Sequence, residues 1–120
     1  MPALETATAT DGVAEEIRRL AIGTVRTVSG TTDTLLAADN GCVVRYTSSS
    51  AVTVTIPAGL GADFAVTLIQ WGGGQVTVNP DTGVTRNSED AQYKTAGQYA
   101  AVDLFAVAAD TFWMGGSTAA

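Results

Sequence analysis

The residues that could do chemistry in this chain are few and scattered. Ser48, Ser49 and Ser50 put three hydroxyls in a row. A serine nucleophile needs a base to take its proton, and histidine, the commonest one, is absent. Lys94 is the single lysine, and no spacing ties it to the serines, which read as a loop. Glu89 with Asp90, or Asp11 with Glu15 and Glu16, would supply the paired carboxylates of general acid–base work. Adjacent acids in polar segments read instead as solvated surface. The stretch from Asp81 to Asp90 lacks the alternating oxygen ligands of a calcium loop. Cys42 is the only cysteine, so neither an intrachain disulfide nor a multi-cysteine zinc site is possible. Inside CVVRY it reads as a small buried apolar residue. Gly72-Gly73-Gly74 has neither the lysine of a phosphate-binding loop nor a following helix, and reads as a hairpin turn. Trp71, Trp113, Tyr46, Tyr93 and Tyr99 offer material for a sugar-stacking platform, although aromatics in a β domain more often serve a core or an interface. These residues assign no catalytic, cofactor-binding or metal-binding set, and the chain reads as no enzyme.

The elements around these residues are organised by the stretch from Cys42 to Pro80. Val52, Val54 and Ile56 alternate with Thr53 and Thr55; Val66 and Leu68 alternate with Thr67 and Ile69; Val76 and Val78 flank Thr77. Period-two alternation puts successive side chains on opposite faces of a strand. The runs are separated by Ser48-Ser49-Ser50, by Pro57 to Gly61 and by Gly72 to Gly74. Strands at roughly ten-residue spacing predict an all-β fold, a compact antiparallel β-sandwich or jelly-roll-like barrel. Asp39-Asn40-Gly41 is a turn signal, and residues 24–32 are extended with a break at Gly30. Residues 80–97 read as a polar loop that projects outward, with a short strand at 84–86. Residues 99–114 read as a closing hairpin that turns at 108–110.

Ahead of the strands, residues 1–10 are small and polar, an expected arm. Residues 11–22 predict a short helix with Val13, Ile17 and Leu20 on one face, acids in its first turn and Arg18 and Arg19 toward its end. Its apolar stripe either covers one end of the β domain or docks on a partner. The expected organisation is an arm and helix over 1–32, a β domain over 33–116 and a frayed tail over 117–120.

Composition narrows the class. At 120 residues with 46% hydrophobic and 15% charged, the chain holds one domain with a real core. A net charge of −6 repels phosphate backbones, so nucleic acid is not an expected partner. The N-terminus lacks a basic start followed by an apolar core, and no apolar run approaches the ~20 residues that cross a bilayer. Neither a signal peptide nor a membrane partner is expected, and synthesis in a reducing cytoplasm is.

Three segments carry a resemblance: TLLAADNGCVVRYTSSSAVTVTIPAG, AVTLIQWGGGQVTVNPDTGVTRNS and TAGQYAAVDLFAVAADTFWMGG. In this order they resemble small β modules of tailed-bacteriophage virions, of the head-decoration, head-fibre and tail-fibre type, over roughly residues 33–116. The closing pattern of that module, a tryptophan followed by a glycine four positions on, is altered here to Trp113-Met114-Gly115-Gly116. The resemblance implies a non-enzymatic virion component, usually a homotrimer. No coiled coil, collagen-like repeat or β-helix repeat is legible to build a fibre shaft. That favours a decoration or cement protein on the capsid exterior, bound to the major capsid protein, over a tail-fibre module that recognises host glycans. Val13, Ile17, Leu20, Arg18 and Arg19 are then the expected capsid-binding residues.

Overall fold

A computed structural model of the chain describes residues 24–120. The alternating runs form strands as their pattern requires, but the strands pair in an unexpected sense. β1 (Val25–Val28), β3 (Cys42–Tyr46) and β5 (Ala65–Gln70) lie side by side in parallel. β2 (Thr32–Thr34), β4 (Val52–Ile56) and β6 (Val76–Pro80) do the same in a second sheet. The chain therefore winds as a β-solenoid of about three turns, each turn giving one strand to each sheet.

The all-β expectation holds, and the antiparallel sandwich or jelly-roll-like barrel is corrected to this solenoid. The expectation that no β-helix repeat is present falls with it. Alternation decides which side chains point inward and is silent on the direction of pairing. The corners decide the direction. Trp71 N and Gly72 N both donate to Tyr46 O, at 2.8 and 3.0 Å, and Gly74 N donates to Ser48 O at 3.0 Å. Thr47 N likewise donates to Val28 O in the turn before. A hairpin turn would close such bonds on itself; here each corner bonds to the corner of the preceding turn. A Cβ on Gly72 or Gly74 would collide with the Ser48 and Ser50 carbonyl oxygens, so the glycine run sets the stacking distance.

After the third turn the chain reverses and covers the end. β9 (Ala101–Ala108) pairs antiparallel with β5 and forms the expected closing hairpin with β10 (Thr111–Gly116). β7 (Thr85–Ser88) adds to β10 in parallel, and β8 (Lys94–Thr95) and β11 (Thr118–Ala119) extend the second sheet from β6. The polar segment 80–97 is thus folded back onto both sheets through β7 and β8. β1 and Thr32, expected in the N-terminal arm, belong to the first turn, and the expected frayed tail pairs through β11. The expected arm and helix, with Val13, Ile17, Leu20, Arg18 and Arg19, lie outside the described residues.

The core fills the space between the sheets with residues stacked turn on turn. Val44, Leu68 and Val102 make one inward ladder, and Val54 and Val78 make another. Phe64 and Phe112 meet edge to face at 6.2 Å. Solenoids need closed ends because each turn buries its apolar face only against a neighbour. β8 to β11 close the C-terminal end. At the other end, β1 and β2 are the outermost strands of their sheets among the described residues.

Candidate functional site

Two places on this scaffold concentrate groups that do more than pack. The first is the interior of the opening turn. Arg26 lies in register with Val44, and Asp33 with Val54, so both occupy inward positions that are apolar in later turns. Arg26 clamps two carboxylates. Nη1 and Nη2 donate to Asp33 at 3.0 and 2.8 Å, and Nε and Nη2 donate to Asp39 at 2.8 Å each. The Tyr46 hydroxyl donates to Asp33 Oδ2 at 2.7 Å, and Leu36 N donates to Asp39 Oδ2 at 2.8 Å. The bonds to Asp33 and then Asp39 raise the Arg26 pKa far above its ordinary value, against the opposing effect of burial. Burial, reinforced by the Asp33 bond, holds the Tyr46 phenol neutral well beyond its usual range. Each carboxylate accepts at both of its oxygens, and among the described residues the cluster fills the solenoid end as a polar plug.

The second place is the outer face of the six-stranded sheet, ordered β1-β3-β5-β9-β10-β7. Its outward residues form rows across the strands. One row runs Asn87, Trp113, Phe105, Ala65. The next runs Gly115, Asp103, Thr67, Val43, Val25, and a third runs Ala101, Ile69, Arg45, Thr27. Phe105 and Trp113 face each other at 5.2 Å with their rings tilted by 38°. Beyond the third row, Trp71 and Tyr99 meet edge to face at 5.1 Å, and the Arg45 guanidinium lies 5.2 Å over the Trp71 ring. All four aromatic residues are exposed. Thr67 Oγ1 donates to Asp103 Oδ1 at 2.7 Å, and Arg45 Nη2 donates to Thr27 Oγ1 at 3.1 Å. Beside Phe105, the small residues Ala65 and Gly41 leave a groove of about 280 Å³ with Thr67 and Asp103 in its wall.

Tyr99 is 63% exposed and sits at φ 69°, in the left-handed region. That conformation costs a non-glycine residue roughly 1–2 kcal/mol. Its edge contact with Trp71 returns about 1 kcal/mol. The core gains nothing from the side chain. A bulky aromatic is held outward at a strained position, a pattern associated with binding surfaces.

The other sequence candidates separate. Ser48 is buried in its corner, where Oγ donates to Ser50 O and accepts from Ser50 N, while Ser49 and Ser50 are exposed. Lys94 lies in β8, and Glu89 and Asp90 are exposed on a 3-10 turn. The structure assembles none of these with another into a reactive pair. Cys42 is half-buried rather than buried, with Sγ 3.4 Å from both Thr24 Oγ1 and Ala38 O. Of the candidate platform, Tyr46 is in the core and Tyr93 is half-buried beneath the Arg86 guanidinium at 3.9 Å. Trp71, Trp113 and Tyr99 are on the outer face. Sequence reasoning missed Phe105, although its outward parity with Asp103 in β9 was a readable signal.

No protein-family model matches the chain, and searches of curated proteins and of solved structures also give no match.

Proposed function

We propose that the chain is a structural component of a tailed-bacteriophage virion, without enzymatic activity. It decorates the outer capsid surface through the segment that precedes the solenoid and projects the solenoid outward. The virion assignment rests on the resemblance of residues 33–116. The observation that carries the arrangement is the polarity of the described domain. Its C-terminal end is covered by β8 to β11, whereas its N-terminal end presents the β1 and β2 edges where the preceding segment joins. An end of this kind is where a solenoid adds a further contact. The partner is the major capsid protein, the chain itself assembles as a homotrimer on the particle, and the action is added buried interface with no bond made or broken. Val13, Ile17, Leu20, Arg18 and Arg19 are the proposed contact residues.

A second reading is favoured by one observation. The three-turn solenoid is itself a shaft-type repeat, so the missing shaft no longer separates a head protein from a tail-fibre or receptor-binding module. Imaging of particles made with and without the protein decides. Density lost over the whole head supports the first reading, density lost at the tail supports the second, and no difference overturns both.

A further inference from the structure

The outer face of the six-stranded sheet has an unusual order of chemistry. Protein interfaces put an apolar core at the centre and polar groups at the rim. Here the aromatic pairs stand at the two ends, Phe105 with Trp113 and Trp71 with Tyr99, and between them charged and hydroxyl groups are interspersed with Val43, Ile69 and Ala101. Asp103, Thr67 and Arg45 occupy that middle. A protein partner covering the face would desolvate the Asp103 carboxylate with Thr67 as its bonded neighbour, which is costly unless further donors arrive. A ligand with apolar ring faces and many hydroxyls meets both demands. Its rings stack on the aromatics and its hydroxyls donate to Asp103.

We propose that this face binds a neutral linear oligosaccharide lying along β9. Phe105 lies four positions along β9 from Ala101, about 13 Å of extended strand, and Tyr99 sits in the turn just before that strand, a span that suits more than one linked sugar ring. The groove of about 280 Å³ between Phe105, Ala65 and Gly41 takes a terminal ring and approaches the ~300 Å³ of ordinary ligand pockets. Charge selects the class. The chain carries −6 and the site holds an exposed carboxylate, while the one cation on the face among the described residues, Arg45, gives Nη2 to Thr27, stacks over Trp71 and keeps its unpartnered Nε buried away from a ligand. Acidic saccharides are disfavoured. The strands fix the groups before binding, so little ordering is required of the protein, and Tyr99 in its strained conformation becomes one wall of the far subsite.

This inference concerns the outer face alone. Particle imaging decides the virion reading whether or not a sugar binds. The test is a backbone-amide NMR titration of the full chain with cellotetraose, maltotetraose and N-acetylchitotetraose, each beside its monosaccharide. At least one tetrasaccharide is expected to give saturable shifts at Ala65, Thr67, Asp103 and Phe105 and at Trp71 and Tyr99. It should bind about tenfold more tightly than its monomer, and Phe105→Ala and Trp71→Ala should each weaken it about tenfold. Both substitutions are at exposed positions, and unchanged melting verifies the fold. No saturable shift with any of the three probes overturns the proposal, as does unchanged affinity in both variants. Shifts at the same residues on dilution without sugar would mark a self-association face and overturn it as well.

Discussion

Arg26 and Asp33 stand in the first turn where Val44 and Val54 stand in the second. Removing one member of such a cluster leaves its partners buried and uncompensated, which costs more than the cluster contributes. Arg26→Met should destabilise the fold by about 3 kcal/mol, the low end for buried pairs because Arg26 keeps 28% of its side chain exposed. Chemical denaturation measures this; a loss below about 0.5 kcal/mol would show the plug to be ornamental. Tyr46 adds a pH signature. Its phenol is held neutral in the folded state by burial and by the Asp33 bond, so its folded pKa lies above the unfolded value of about 10. The contribution is complete below pH ~10, and above it the unfolded chain loses a proton that the folded chain keeps. Stability should therefore fall as pH rises past 10, by up to about 1.4 kcal/mol per unit from this group. Tyr46→Phe should cost about 1 kcal/mol at neutral pH and flatten the alkaline slope. An unchanged slope would place the sensitivity elsewhere.

At the scale of elements, the corners carry the fold, and they supply an internal control. Gly74 is pressed against the Ser50 carbonyl, while an added Cβ on Gly73 meets no atom within 4 Å. Gly74→Ala should destabilise by about 2 kcal/mol or more through overpacking against backbone, and Gly73→Ala should be nearly neutral. Equal melting temperatures for the two variants would mean that the corners do not stack as described. These corners also explain what the sequence disclosed and what it withheld. The inward sets Val52-Val54-Ile56, Val66-Leu68 and Val76-Val78 were legible because burial imposes a period of two. Parallel winding was not, because a run of small residues serves a hairpin turn and a stacked corner alike. The repeat was readable in one respect: Ser29-Gly30, Ser48 to Ser50 and Gly72 to Gly74 each divide a pair of β-branched runs, at a period of roughly 20 residues, the low end for solenoids. Of the outer face, three of the four exposed aromatics were among the candidates, but their separation from Tyr46 and Tyr93 depended on register. The Arg26 cluster joins residues of four different segments, which no local pattern records.

For the whole molecule, the decisive question is whether residues 1–23 complete the fold or attach it. Among the described residues, the buried apolar side chains fall between Leu35 and Met114, inside the three turns and their cover. The open end is filled by Arg26, Asp33, Asp39 and Tyr46, which satisfy one another. Among the described residues, only Val25 and Leu36 stand exposed as large apolar side chains near that end, too little to require a cover, so deletion of residues 1–23 should leave a soluble β domain. Its far-ultraviolet spectrum should be strand-dominated and its melting temperature within a few degrees of the full chain, since surface changes usually cost less than ~0.5 kcal/mol. The same deletion should abolish particle binding. An extended arm of ten residues reaches ~35 Å, enough to touch a neighbouring capsid subunit. On the proposed reading, burying Val13, Ile17 and Leu20 would contribute several kcal/mol at ~25 cal/mol per Å², and three copies in the proposed trimer would turn a weak contact into a durable one. Particle sedimentation with the truncated and full chains, beside their masses by light scattering, separates the outcomes. A folded truncation that still decorates particles places the anchor on the solenoid. One that unfolds assigns the segment to the core, and a full chain that stays monomeric in solution and on particles removes the avidity on which the anchor depends.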